Sequence, residues 1–144
     1  LSNVNKLKLG IINARRDMTY VADAVKGAIM LMKCDAAVGE VVNMGTGKDY
    51  SIKEMAELAG SLMDYENVEF EIVQKRLRPL DVERLQADYS KMNGLTGWKP
   101  TTSLQDGLKM TLDWFKANGN QWLWEKKFVE EEDMWKWGNN SEKK

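Results

Sequence analysis

Two hydrophobic periods alternate along this chain. Leu7, Leu9 and Ile11 alternate with Lys8 and Gly10, the pattern of a half-buried strand. Arg16 to Val21 ends in β-favouring residues and predicts a second short strand. Val21, Ala24, Val25, Ala28, Ile29 and Met32 recur at helical spacing, which predicts a helix from Asp23 to about Lys33. Glu40 to Met44 is a short apolar run between glycines and reads as a buried strand. The loop Gly45-Thr46-Gly47 follows. Ser51 and Glu54 then form a capping box at the start of a helix from Ile52 to Met63. Val68, Phe70 and Ile72 alternate with Glu69 and Glu71, a strand with one wet face. Gln74 to Pro79 is a basic loop, and Val82 to Leu85 reads as a short strand. Asp88 is placed to cap a short helix through Lys91 to Leu95, stopped by Gly97. Thr102 or Ser103 caps a last helix with Leu104, Leu108, Thr111, Leu112 and Phe115 on its inner face, ended by Asn118-Gly119-Asn120. Strands alternate with helices throughout, so the fold class is α/β.

Composition narrows the chemistry. The chain has 144 residues, of which 43% are hydrophobic and 30% charged, as in globular proteins. Lys plus Arg is 21 and Asp plus Glu is 22, which leaves no basic excess for a nucleic-acid partner. No apolar run approaches the roughly 18 residues of a membrane span, so no membrane partner is expected. The absence of histidine excludes a Ser-His-Asp triad, a Cys-His pair or a His-based metal site built from this chain. Cys34 is the only cysteine and sits in an apolar stretch, which suits packing and a reducing, cytoplasmic compartment. Trp114, Trp122, Trp124, Trp135 and Trp137 crowd the C-terminal end. Trp114 lies on the last helix and reads as a packing residue, and the other four read as a tail that packs back on the domain rather than a ligand platform. Glu130 to Asp133 reads as a solvated face, and no metal site is expected.

Taken in order, the segments 16–23, 39–47, 50–54, 76–85, 87–100 and 103–115 resemble the C-terminal half of extended short-chain dehydrogenases/reductases, the NAD-dependent nucleotide-sugar epimerases and dehydratases. Arg16-Asp17-Met18-Thr19-Tyr20-Val21-Ala22-Asp23 resembles the family's RDFTYVxD segment. Gly39-Glu40-Val41-Val42-Asn43-Met44-Gly45-Thr46-Gly47 is similar to its GExxNIGSG strand and turn, and Tyr50-Ser51-Ile52-Lys53-Glu54 to the helix entry that follows. Arg76-Leu77-Arg78-Pro79 with Asp81-Val82-Glu83-Arg84-Leu85 resembles the RLRPxxxEVERL stretch of the 4,6-dehydratase branch. Ala87-Asp88-Tyr89-Ser90-Lys91 with Gly97-Trp98-Lys99-Pro100 is similar to ADxSKA…LGWxP. Ser103 through Phe115 resembles the closing SLEEGLxxTIEWF helix. The resemblance spans residues 7 to 118.

The resemblance implies a Rossmann-type parent in which residues 1–118 are a substrate-binding portion and 119–144 a Trp-rich tail. The parent would use NAD or NADP to oxidise the sugar at C4, with a Tyr as base; a 4,6-dehydratase then eliminates water and returns the hydride to C6. The partner would be a nucleotide-diphosphate sugar. Carried over, Arg16 and Arg78 approach the diphosphate, which guanidinium forks bind in bidentate fashion. The plain alternative for both is a surface or interdomain salt bridge, and neighbouring Arg15 and Arg76 either share the role or are solvated. Asp81 lies where relatives place an acid on the ribose hydroxyls, although Leu80 disturbs the register, and a loop or cap role stays open. Asn43 either reaches the site or satisfies its turn. Asp23 reads as a cap or first-turn acid.

The family's GxxGxxG loop and Tyr-x-x-x-Lys pair have no counterpart in these residues. Tyr20, Tyr50, Tyr65 and Tyr89 are followed four positions on by Ala24, Glu54, Glu69 and Asn93. The expectation is a portion lacking the dinucleotide-binding half, inactive alone and binding no cofactor by itself. No residue is assigned a catalytic role. The alternatives are a standalone nucleotide-sugar-binding module and a non-catalytic, self-associating fragment, with a homo-oligomer or the missing half as partner.

Overall fold

The computed structural model describes residues 6–65, 67–77 and 80–118. The chain divides into two compact units, Leu1–Lys109 and Met110–Lys144. In the first unit, β1 (Lys6–Leu9) pairs in parallel with β4 (Glu69–Ile72), in the register Lys6 to Glu69 through Leu9 to Ile72. A second sheet has the order β3-β2-β5, from β3 (Tyr50–Ser51), β2 (Arg15–Arg16) and β5 (Arg84–Leu85). β2 runs antiparallel to β3 and parallel to β5. The helices are α1 (Val21–Met32), α2 (Ile52–Ser61), α3 (Ser90–Thr96) and α4 (Leu104–Asn118). Residues of α4 up to Lys109 belong to the first unit.

Local signals set most of these elements. At α2 the Ser51 hydroxyl accepts from the Glu54 amide at 3.0 Å, and the Glu54 carboxylate accepts from the Ser51 amide at 2.6 Å. Both are donors that a bare helix start would leave unpaired. Ser103 caps α4 by accepting from the Asp106 amide at 3.1 Å. Asp88 accepts from the amide and hydroxyl of Ser90 at the start of α3. Gly97 ends α3 with φ 72, the left-handed conformation a side chain disfavours.

The core of the first unit gathers around Trp98 and Met92, 2% and 0% exposed. Tyr89 meets Trp98 edge-on, with centroids 5.9 Å apart. The indole Nε1–H donates to the Asp23 carbonyl at 2.9 Å. Gly27 of α1 lets Trp98 and Met44 approach: a Cβ there would stand 2.5 Å from the Met44 sulfur and 3.0 Å from the indole nitrogen.

Several expectations need correction. Residues 40–44 are not a strand, and Val41 is 84% exposed. An apolar run becomes a strand only beside a partner ladder, and no described strand lies against it. Lys91 instead ties this segment through the Val41 carbonyl and the Glu40 carboxylate. β2 stops at Arg16, and Asp17 to Tyr20 have no strand pairing. Val82 and Glu83 lie outside β5. α2 ends at Ser61, ahead of the turn in which Asp64 takes φ 63. Thr111 and Phe115 are exposed rather than inward-facing. In the second unit Phe115 packs edge-on against Trp114, centroids 5.1 Å apart. Trp122, Trp124, Trp135, Trp137 and the acidic run 130–133 lie outside the described residues.

Candidate functional site

Successive residues of a strand face opposite ways, and β2 uses this to separate two arginines. Arg15 turns to Asp49, donating from Nε to Oδ1 at 2.8 Å and from Nη2 to the Asp49 carbonyl at 3.0 Å, and reaches Glu54 at 3.1 Å. Arg84 donates to the other oxygen of the same carboxylate. Arg15 and Arg84 stand opposite each other in the β2–β5 register, so Asp49, 5% exposed at its side chain, holds two like charges together. The hydrogen bond from Arg15 holds the Asp49 carboxyl below its ordinary range against the opposing effect of burial, with Arg84 adding to it. Arg15 is raised in turn, chiefly by its hydrogen bond to Asp49. Glu54 is lowered first by the Ser51 amide of the capping box.

Arg16 faces the other way. Its Nη1 donates to the Val82 and Arg15 carbonyls, each at 2.8 Å, and its Nη2 donates to Asp81 Oδ1 at 2.8 Å. Three of the five guanidinium N–H groups are thereby engaged. The Nε–H and one Nη2–H have no partner among the described residues. Arg16 lines a cleft of about 340 Å³ with Asp17, Asn43 and Gln86 and the apolar Met44 and Leu85. Asp81 lines a larger neighbouring cleft of about 540 Å³, walled by Arg15, Val82, Glu83 and Arg84.

Asp17 binds the segments around the smaller cleft. Its carboxylate accepts from the Thr46 amide and hydroxyl at 2.8 and 2.6 Å, the Gly47 amide at 2.9 Å and the Ala87 amide at 3.2 Å. The Gly45-Thr46-Gly47 turn therefore does not fit a dinucleotide pyrophosphate, because its Thr46 and Gly47 amides already face a carboxylate. Asp23 does related work below: 6% exposed, it accepts from the Thr101 amide and hydroxyl and the Thr102 amide at 2.8 to 3.0 Å. Burial pushes its carboxyl up, and these hydrogen bonds, the Thr101 hydroxyl foremost, bring it below the ordinary aspartate range. It is the first-turn acid of α1 but caps a distant loop rather than its own helix.

The structure thus joins Arg16 to Asp81 directly and sets Asn43, exposed, in the same cleft as Arg16. Asp81 and Asn43 line different clefts, and Arg78 lies outside the described residues. Arg15, its side chain 39% exposed, is tied to Asp49 and Glu54 through three of its five N–H groups and lines the larger cleft rather than the one that Arg16 lines. Arg76 donates to the Lys8 carbonyl. Cys34 packs half-buried, its thiol 3.4 Å from the Leu95 carbonyl. Asp17, Asp49 and Arg84 escaped the sequence reading. The partners that place them around the two clefts lie 29 to 70 residues away, and no local spacing announces them. Among the described residues no cluster of acids and cysteine is arranged to hold a metal ion, and no helix is long and apolar enough to cross a membrane.

An α/β segment with this strand order and motif sequence is of the extended short-chain dehydrogenase/reductase class, the nucleotide-sugar dehydratases and epimerases. Residues 1–111 match the family described as GDP-mannose 4,6 dehydratase, and the chain belongs to it. It is 34% identical to GDP-6-deoxy-D-mannose reductase of Pseudomonas aeruginosa over 113 residues, covering 76% of this chain and 36% of that one. The fold superposes on UDP-glucose 4-epimerase of Thermotoga maritima, solved with UDP-glucose, with a TM-score of 0.66 and 31% identity over 78% of this chain and 35% of that one. It also superposes on dTDP-glucose 4,6-dehydratase of Bacillus anthracis, solved with NAD, with a TM-score of 0.71 and 26% identity over 81% and 36%. The chain spans about a third of the length of these relatives.

Proposed function

We propose that this chain is the nucleotide-sugar-binding, C-terminal portion of an NAD(P)-dependent nucleotide-sugar 4,6-dehydratase or epimerase. One observation carries this reading: Arg16 sits at a cleft with its guanidinium fixed on one side and two N–H groups left to donate. That is the state in which an arginine binds a phosphate oxygen pair at small entropic cost. Arg16 and Arg78 would clamp the diphosphate, Asp81 would meet the ribose hydroxyls, and Asn43 would close the cleft. Residues 1–118 form this portion, and 119–144 is an appended Trp-rich tail.

The chemistry of such an enzyme belongs to its nicotinamide, and the residues of this chain bind and orient substrate. We assign them no catalytic step, and a cytoplasmic setting accords with the lone Cys34. Calorimetry with UDP-glucose and dTDP-glucose tests the reading. Binding by the 144-residue chain that falls at least tenfold, about 1.4 kcal/mol, in Arg16→Ala and in Arg78→Ala supports it. Unchanged affinity in both variants sinks it. NAD-dependent consumption of either sugar by this chain alone would overturn the absence of a catalytic step.

A second reading, self-association without ligand, is favoured by α1. Val21, Val25, Ile29 and Met32 follow one another at helical spacing and are 41% to 78% exposed. Such a row is wider than isolated apolar surface residues produce.

A further inference from the structure

We propose that Asp17 is the positioning residue of the Arg16 cleft: it fixes where Arg16 stands relative to Asn43, so that a nucleoside diphosphate meets both. The proposal rests on the diphosphate reading of Arg16 and adds to it a residue that touches no ligand.

The cleft is assembled from three stretches of chain far apart in sequence. Arg16 comes from the end of β2, Asn43 and Met44 from the loop before Gly45, and Leu85 and Gln86 from the end of β5. β2 and β5 pair through only two residues each, with backbone bonds at their ends from Arg15 to Glu83 and from Asp17 to Leu85. The Asn43 loop has no strand pairing at all. What joins it to the others is the Asp17 carboxylate. Its two oxygens accept from Thr46, Gly47 and Ala87. One side chain therefore spans all three walls.

The fit around Asp17 is close. A Cβ on Gly45 would stand 2.4 Å from the Ala87 Cβ and 2.7 Å from Asp17 Oδ2. Only a glycine lets the loop that carries Asn43 come this near to Asp17. Gln86 adds a second tie, donating to the Gly47 carbonyl. A carboxylate facing only N–H and O–H donors has one orientation that satisfies all of them. An amide in its place must turn an NH₂ toward donors, which loosens the loop without removing bulk. Displacements of this order at a site are felt in affinity because the binding groups must act together.

The test is titration with UDP, using Asp17→Asn, Gly45→Ala, Arg16→Ala and the double variant of Asp17→Asn with Arg16→Ala. Melting temperatures are compared alongside. The expected result is a roughly tenfold loss of UDP affinity in Asp17→Asn and in Gly45→Ala. Arg16→Ala should lose at least as much, and Asp17→Asn should lose almost nothing further in the Arg16→Ala background. Non-additivity is the signature of a residue acting through another, which general loosening does not produce. If Arg16→Ala weakens UDP while Asp17→Asn and Gly45→Ala leave it unchanged, the positioning role is wrong and the diphosphate reading stands. A fully additive loss in the double variant overturns the positioning role in the same way. If the chain does not bind UDP, or Arg16→Ala binds it as well as the parent, the diphosphate reading fails first and takes this proposal with it. Should Asp17→Asn fail to fold, Gly45→Ala carries the test, because it moves the same loop and leaves every charge in place.

Discussion

Arg16 and Asp81 form an ion pair with 2.8 Å between Nη2 and Oδ1, and their side chains are only 22% and 23% exposed. The pair gives Arg16 a fixed orientation at the wall of its cleft. It also sets a carboxylate in competition with any phosphate that approaches the same guanidinium. Preorganisation and competition act on different ligands in different ways, and this makes the pair informative.

Asp81→Asn should raise affinity for inorganic pyrophosphate by up to about fivefold, because a half-buried surface pair is worth at most ~1 kcal/mol. UDP also carries a ribose, and losing the carboxylate removes an acceptor for its hydroxyls. The ratio of UDP to pyrophosphate affinity should therefore fall in the variant. Calorimetric titrations of both ligands measure that ratio. An unchanged ratio means that Asp81 serves Arg16 alone.

Asp23→Ala should destabilise the chain by about 2 kcal/mol, since the Thr101 and Thr102 amides lose a buried acceptor. The carboxyl is lowered in the folded state, so its contribution is present above the ordinary aspartate range and is lost as pH falls through the folded value. The urea midpoint of the parent should drop below about pH 4. Asp23→Asn should show a shallower acid dependence over the same window. Parallel curves for the two proteins would remove Asp23 from the acid response.

Which parts of this were legible in the sequence follows from the range of each interaction. The strands around Leu7–Leu9 and Val68–Ile72 and the helices after Tyr20 and Ser51 announce themselves by period. The capping box reads from three residues' separation. The turn at Gly97 needs only the one residue that tolerates its φ. Glu40 to Met44 misleads because its apolar pattern states a capacity for pairing without naming a partner. β3 has two residues and leaves no period at all. Arg16 is reached through a motif, yet the motif does not say that Arg15 is held by Asp49, 34 residues away, while Arg16 pairs with Asp81, 65 residues away. Asp17 and Asp23 reach partners up to 70 and 79 residues away, and only the fold brings them together.

Gly27→Ala should be destabilising although it sits inside a helix. At an exposed helical site alanine gains roughly 1 kcal/mol over glycine. The added Cβ would stand 2.5 Å from the Met44 sulfur and 3.0 Å from Trp98 Nε1. Met44 can move, but Trp98 is buried and bonded to the Asp23 carbonyl. Overpacking of this kind costs about 1 to 3 kcal/mol, so a net loss is expected. Denaturant unfolding gives the sign, and near-ultraviolet circular dichroism reports the displaced indole. A gain in stability would mean that Met44 alone absorbs the methyl group.

The exposed row on α1 leads to a prediction that needs no ligand. Val21, Val25, Ile29 and Met32 step by four, four and three residues and so form one stripe, 65%, 52%, 41% and 78% exposed. Water contact along such a stripe is unfavourable at roughly 25 cal/mol for each Å² of apolar surface, and pairing with a second copy relieves it. Sedimentation of the 144-residue chain should show a weight-average mass that rises with concentration. Val25→Lys and Ile29→Lys each place a charge in the stripe, where association would have to desolvate it without a partner. Each should weaken association about tenfold, or 1.4 kcal/mol, with the far-ultraviolet spectrum unchanged. A parent chain that stays monomeric across the range refutes self-association. An association that both lysine variants leave intact assigns it to a surface other than α1.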